Sequence, residues 1–427
     1  MTDRVGIKLA ITVSPEGEKG RRLEGVEDRV LSFEFVDNDA KADKLKLTLD
    51  NWDLANFDDM IWRKGSIVEA TWGYAGLFHP TVQCVIQKVT GGQQLTVECL
   101  AKSILMHKEK KSRVFIAKRR ADVAAQIAVE RGFTDPALVH IEDTVVVYES
   151  IAQAGLTDAQ LLAKMAKQEG FVFYVDWQGF HFHRRNLGQT PARVFHWYAD
   201  PTAGDVKSLE IENDVTARAG SVSVTGRDPI KRSSYKATAD NDKTKRQGLA
   251  PQPEVQSIDY AMSSVGEVSL RRLKTHEVTP SAAPNAKAAQ RKADGDFSST
   301  QLGTVKLKAT IIGDPTMVAK SVVEWRGLGR RLSGNYYVKT VTHKIDSSGY
   351  VCDLECKRDG HSETGTPKSK AQVNTKAAGG GVGMGATFNA VGQTLQWNPT
   401  SGVASGGPND TPLASFSTGG ASSGGGH

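Results

Sequence analysis

The chain has 427 residues, 39% of them hydrophobic, with 42 glycines and a formal net charge of +6. That is room for two or three domains with cores of their own, while the low apolar and high glycine content require a stretch that does not pack. The charge permits contact with a polyanion but is no signature of a dedicated nucleic-acid binder, which would show a concentrated basic face.

There is no apolar h-region at the N-terminus and no run long enough to span a bilayer, so the protein is expected to fold first in a cytoplasm, without stable membrane association. Val5, Ile7, Leu9, Ile11 and Val13 alternate with Gly6, Lys8, Ala10 and Thr12, the period of a strand with one buried face. Leu31, Phe33 and Phe35 predict a second strand, Leu45, Leu47 and Leu49 a third, and Val68, Ala70 and Trp72 a fourth. A hairpin carrying Cys84, Ile86, Leu95, Val97 and Cys99 on its apolar face adds two more. Six strands with turn-rich joints over residues 1–112 predict a closed or nearly closed β-barrel or a sandwich. If Gly91-Gly92 forms the two-residue turn, Cys84 faces Cys99 in the wider kind of pair, a poor geometry for a disulfide. Cys352 and Cys356 share one face of a single strand, and the four spacings offer no compact zinc cluster. All four cysteines read as small apolar core residues.

Residues 113–204 change texture and predict a small inserted α+β domain. Ala121–Arg131 is helical in pattern and stopped by Gly132. Thr157-Asp158-Ala159-Gln160 is a capping box opening a helix with Leu161, Leu162, Met165 and Ala166 inward, closed by Gly170. Phe171–Val175 and Phe180–His183 then pair as a hairpin around Asp176-Trp177-Gln178-Gly179. A second β-barrel is expected over 205–360. Its strands are marked by Leu209 and Ile211, by Val222 and Val224, by Val305, Leu307 and Ala309, and by Ser321–Trp325, Tyr336–Ile345 and Tyr350–Lys357. The polar, basic segment at about 227–300, with a helical patch at Ala286–Asp294, reads as an insertion that folds on a neighbour or stays mobile. From 361 to 427 the composition is Gly/Ser-rich linker material, expected to be disordered unless a neighbouring chain holds it.

The two predicted barrels repeat one another. Ser66-Ile67-Val68-Glu69 answers Ser321-Val322-Val323-Glu324, and Val97-Glu98-Cys99 answers Leu354-Glu355-Cys356, the second glutamate lying 29 positions after the first in one copy and 31 in the other. The order and near-equal spacing indicate two copies of one β-module. The fold expected is therefore mainly β with a small α+β insertion: two similar six-stranded, tail-tube-like barrels.

Chemistry-bearing clusters are sparse. His181 and His183 share one strand face, an arrangement that can chelate a metal, with His196 near in sequence; without a third ligand they read as exposed strand histidines beside Arg184-Arg185. Asp58-Asp59 and Glu142-Asp143 are adjacent carboxylates, whereas glycosidase work needs two placed across a cleft. The basic run Lys102–Arg120 is a candidate patch for a polyanion, or more simply a solvated connection between domains. Trp325-Arg326-Gly327-Leu328-Gly329 is glycine turn chemistry after a strand, and Phe171–Trp177 is read as core rather than a base-stacking platform. No nucleophile elbow, zinc-protease helix or phosphate loop occurs. No catalytic, cofactor-binding or metal residue, and no cofactor, is assigned.

Three stretches resemble the late control D proteins of tailed phages, the baseplate hub of contractile tails related to the first part of type VI secretion spike proteins. They are Ala42–Asp50 with Trp72-Gly73-Tyr74, the helix-plus-hairpin Leu156–Phe182, and Ser333–Val338 followed by His343 and Gly349-Tyr350. The resemblance covers roughly Val5–Arg358. It implies a non-enzymatic virion protein: a homotrimeric pseudo-six-fold ring joining the six-fold tail tube, or its initiator protein, to a separate three-fold central spike. Baseplate wedge proteins are implied as further partners, with transient contact to phage DNA in the lumen. The hub of a bacterial contractile injection system, and a tail-associated peptidoglycan-binding or hydrolysing protein, stand as alternatives.

Overall fold

The computed structural model describes residues 6–14, 21–22, 29–58, 60–101, 106–107, 109–197, 204–213, 219–227, 233–240, 248–250, 252–253, 275–280 and 285–362, and short strands at 388–390, 393–397 and 404–405. The chain divides into two compact units, residues 1–362 and 363–427.

In the first unit the alternating patterns become strands: β1 (Lys8–Ser14), β2 (Arg21–Arg22), β3 (Val30–Asn38), β4 (Lys44–Asp50), β5 (Ile67–Tyr74), β6 (Leu77–Phe78), β7 (Val82–Gly91) and β8 (Gln94–Ala101). They pair antiparallel in the order β3-β4-β8-β7-β5-β1-β2. Each strand turns one face inward, as its period requires: Phe33 and Phe35, then Leu45, Leu47 and Leu49, then Val68, Ala70 and Trp72. Gly73 is dictated by a close approach, because a Cβ there would lie 2.2 Å from the Leu77 carbonyl oxygen where β6 folds back. The β7–β8 hairpin turns one residue later than expected and carries a bulge at Gln87, so Cys84 lies opposite Ala101 and Cys99 opposite Ile86. The two sulfurs therefore do not face each other; all four cysteines are free and buried.

The insertion follows. β9 (Lys110–Arg119) and β11 (Val147–Thr157) form an antiparallel ribbon, and β10 (Val139–Ile141) runs parallel to β13 (Gly179–Arg184), which pairs with β12 (Phe171–Asp176). Two helices, Arg120–Glu130 and Asp158–Glu169, fill the space between. The second has the expected capping box, Thr157 accepting from the Gln160 backbone and Gln160 from that of Thr157, and ends on left-handed Gly170. Leu161, Leu162, Met165 and Ala166 are buried with Ile127, Phe180 and Phe182 in a core separate from that of the sheets. The ribbon and β10 leave little trace in periodicity. Of the basic run that read as a solvated connection, Lys110–Arg119 is strand β9 and Arg120 opens the helix after it, and several of these charges are paired: Arg113 with Glu130 at 2.7 Å, Lys111 with Asp158 at 3.0 Å, Arg120 with Glu169 at 2.6 Å.

The rear sheet is built from β14 (Arg193–His196), β15 (Val206–Asn213), β20 (Val305–Ile312), β21 (Val322–Arg326), β22 (Gly334–Asp346) and β23 (Gly349–Arg358). Its order, β15-β20-β23-β22-β21-β14, matches β3-β4-β8-β7-β5-β1 strand for strand, although β14 runs parallel to β21 where β1 is antiparallel to β5. The irregularities match as well. The bulge at Gln87 in β7 recurs at Lys339 in β22, and the bulge at Leu31 in β3 recurs at Lys207 in β15. Since a bulge re-aims a whole strand, coincidence of both is strong support for the repeat. Glu34 opposite Lys46 is matched by Glu210 opposite Lys308.

Two expectations need correction. The strand with Val222 and Val224, β16 (Ala219–Arg227), is not in this sheet. It pairs with β17 (Ser234–Ala239) and β19 (Thr275–Pro280) under the helix Ala286–Gln301, because its apolar face packs on Ala289, Ala293 and Phe297. The insertion thus has a small core of its own; β18 (Gln252–Pro253) pairs with β24 (Gly360–His361). Nor do the described residues form two closed barrels. β3, the free edge of the front sheet, pairs instead with the second half of β22, making one continuous sheet of both halves. In the second unit β25 (Phe388–Ala390), β26 (Gln393–Trp397) and β27 (Ala404–Ser405) form a short meander; the rest of the expected tail lies outside the described residues.

Candidate functional site

The place where the three parts of the first unit meet is the joint between the sheets. β3 lies on β22 from Asn38 opposite Thr340 to Ser32 opposite Asp346, with Phe35 opposite His343. Under this joint the Trp72 indole donates to the Tyr350 hydroxyl at 3.1 Å, and that hydroxyl sits 2.8 Å from His343 Nδ1. The Tyr350 hydroxyl therefore donates a hydrogen bond to Nδ1, which leaves Nε2–H to donate to the Met317 carbonyl at 3.1 Å. His79 stacks on Trp72 at 4.1 Å between ring centroids. Burial pushes His79 down to about 4, and burial together with the nearby His79 keeps His343 well below the ordinary imidazole value, so both rings are neutral. One chain of hydrogen bonds thus runs from the front sheet into the rear one.

At the end of the joint Lys320 ties all three parts together. Its Nζ lies 2.8 Å from Asp37 of the front sheet and 3.4 Å from Asp176 of the insertion, 4.6 Å over the Tyr174 ring. Asp37 also accepts from the Ala319 backbone at 2.7 Å. Burial opposes the Lys320 charge, but Asp37, Asp43 and Asp176 outweigh it and raise the ammonium above its usual range. Burial likewise works against ionised Asp176, and the His181 hydrogen bond and Lys320 overcome it to lower that carboxyl. Lys320 sits in the left-handed region at φ 69°, where the front copy has Gly65 at φ 95°. A lysine held there costs conformational energy that the ion pairs offset, which marks a specialised position.

His181 and His183 do share a face, 3.3 Å apart between Nδ1 and Nε2, but His181 is buried rather than exposed. It stacks between Tyr174 and His140 and faces Asp176 at 3.2 Å, and His196 belongs to the rear sheet. Among the described residues no group of three or more His, Cys, Asp or Glu side chains is placed to hold a metal. Glu142 and Asp143 are engaged by Arg184 at 3.2 Å and Arg119 at 2.7 Å; the side chains of Asp58 and Asp59 lie outside the described residues. Phe171 and Val175 are core, while Trp177 at the hairpin turn is exposed. Spacing alone missed Lys320, Asp37, His79 and His343. The readable signal was in the repeat, which sets Lys320 against Gly65.

These features define a mainly β protein with a doubled sheet module, one core shared by both copies, and a charged node fastening an inserted α+β element. The tail protein from Neisseria meningitidis MC58 has a similar fold at 13% identity, with a TM-score of 0.58 over 83% of this chain and 97% of that one. So does the 43 kDa tail protein of prophage MuSo2 from Shewanella oneidensis, at 13% identity and a TM-score of 0.57, covering 82% and 99%. At that identity the likeness is one of fold. No curated protein matches the chain. The family described as Alg8 N-terminal domain matches residues 53–347, more than half the chain, and the chain belongs to that family. The late control D family, to which the sequence bears a resemblance, is not the one matched.

Proposed function

We propose that the chain is a structural tail protein of the late control D kind: the baseplate hub of a contractile tail, acting by shape rather than by catalysis. The observation that carries this reading is the doubled module, with its strand order and both bulges kept. A six-fold tube meeting a three-fold spike needs an adaptor with both symmetries, and three copies of a doubled module supply six near-equivalent lobes in a closed ring. The fold likeness to two tail proteins supports the same role. Tube or tube-initiator protein, separate spike and wedge proteins are the partners of this reading, and the ring leaves a lumen for DNA. The shared core under the joint suits a part that must transmit force without its halves parting.

Native mass spectrometry of the full chain, alone and with its spike, together with averaged end-on images of the assembly, tests the proposal. The expected result is a trimer with three-fold symmetry and six lobes. Monomers under every condition, including with spike, would overturn it.

A further inference from the structure

The joint inside the chain specifies a second joint between chains. β22 is covered along one side by β23; along the other, β21 covers its first half, from Gly334 to Tyr337, and β3 its second, from Thr340 to Asp346. β7 is the front copy of β22. β8 covers one of its sides, and β5 covers the first half of the other, from Val82 to Val85. The details agree: the Ile86 backbone donates to Ser66 and accepts from Gly65, as the Val338 backbone donates to Ser321 and accepts from Lys320. What differs is the second half. Among the described residues nothing pairs with Lys88–Gly91 on the side where β22 receives β3. Correspondingly, among the described residues β15, the rear copy of β3, pairs with β20 alone, and nothing pairs with its other side.

We infer that β15 of one copy pairs antiparallel with the second half of β7 of the next copy, reproducing the β3–β22 joint between subunits. This rests on the ring reading above and adds to it the interface and its register. Matching the bulges and partner strands sets Val89 against Val341, Thr90 against Thr342 and Gly91 against His343. The same matching sets Ile211 against Phe35, Glu212 against Val36 and Asn213 against Asp37. The internal joint places Val341 opposite Asp37, Thr342 opposite Val36 and His343 opposite Phe35. The new joint therefore places Val89 opposite Asn213, Thr90 opposite Glu212 and Gly91 opposite Ile211 of the neighbouring copy.

Burial supports the occupant. Phe33, Phe35 and Val341 are fully buried by the internal joint, whereas their counterparts Leu209, Ile211 and Val89 pack on the same core and remain half-buried. Strand edges left without a partner among the described residues, with Val89 on one and Leu209 and Ile211 on the other, are otherwise a liability for aggregation, and pairing them head to tail removes it. The edge charges are already answered within the chain, Lys88 by Glu98 at 3.5 Å and Glu212 by Lys306 at 2.8 Å, so the joint rests on backbone pairing and apolar burial rather than on new ion pairs. The contact joins two different edges, so it is heterologous rather than a two-fold dimer, as the head-to-tail ring proposed above requires.

Cysteine pairs test the register, since the four native cysteines are buried. Full-length double variants Val89→Cys/Asn213→Cys and Thr90→Cys/Glu212→Cys are oxidised with diamide beside a register-shifted control, Thr90→Cys/Glu210→Cys. At least one in-register variant is expected to give disulfide-linked species ending at three chains. The single variants and the shifted control stay uncrosslinked. Mixing Thr90→Cys with Glu212→Cys yields only pairs, as a head-to-tail contact demands. A native trimer in which neither in-register variant cross-links overturns this joint and leaves the ring standing. Monomers by native mass spectrometry sink both.

Discussion

Lys320 is the residue on which most rests. Its ammonium answers two buried carboxylates from two different parts of the chain, and removal leaves them without that counter-charge in a largely buried place. Breaking a buried pair from one side costs about 3–5 kcal/mol. Lys320→Met is expected to lower the unfolding free energy read from denaturant titration by that order, and adding Asp37→Asn should restore part of the loss, as coupled sites do. His79 and His343 give the joint a pH dependence with a definite sign. Unfolded imidazoles take up protons near pH 6.5, whereas folded His79 does so only at about 4, so below 6.5 the unfolded state binds more protons and stability falls with pH. For His79 alone the loss between pH 6.5 and 5 is about 2 kcal/mol. Asp43 works in the opposite direction, because burial raises its carboxyl and the folded state keeps that proton longer. Thermal melts from pH 7 to 5 should show a falling midpoint, with a shallower fall in His79→Phe, which keeps the stack on Trp72 and cannot titrate. An unchanged slope in that variant would remove His79 from the account.

Among the elements, the helix Ala286–Gln301 crosses the helix Asp158–Glu169 at a point where no side chain fits. A Cβ on Gly295 would lie 2.6 Å from the Gly170 Cα, and one on Gly170 would lie 2.8 Å from Gly295. Gly170 is also the left-handed end of its helix, so it has two reasons to be glycine. Gly295→Ala is expected to cost about 1–3 kcal/mol by overpacking. The loss should appear as faster amide exchange in the Ala286–Gln301 helix and in β16, with β8 and β23 unaffected. How far such elements were readable follows from their local signals. Thr157, Gln160 and Gly170 carry their geometry in residue type, so the helix Asp158–Glu169 was legible to its ends. The front strands were legible because Leu45, Leu47 and Leu49 keep strict alternation. β14 was not, since four residues with one buried aromatic, Phe195, make no period, and β16 was assigned to the wrong sheet because Val222 and Val224 say only that one face is buried. The tight turn of β7–β8 was misplaced by one residue because a bulge is invisible to a period-two reading.

At the scale of the whole first unit, the repeat could be read from short strings, but its consequence could not. A module copied twice suggests two barrels that fold separately. Instead Trp72, Phe33 and Leu47 of the front sheet belong to the same core cluster as Trp325, Tyr350 and Leu354 of the rear one. Nothing in either copy's pattern announces that β3 crosses to β22; only the three-dimensional register does so. A shared core has a thermodynamic signature, because elements that bury one another's surface open together. The front sheet taken alone would expose Phe33 and Phe35 along an unpaired edge and lose the bond from Trp72 to Tyr350. Native-state hydrogen exchange followed by mass spectrometry should therefore give the amides of β8 and β23 the same opening free energy, within about 0.5 kcal/mol, with the same denaturant dependence. A fragment ending at residue 112 should unfold without a cooperative transition. Two well-separated opening energies, or a cooperatively folding front fragment, would mean that the halves are independent domains in contact.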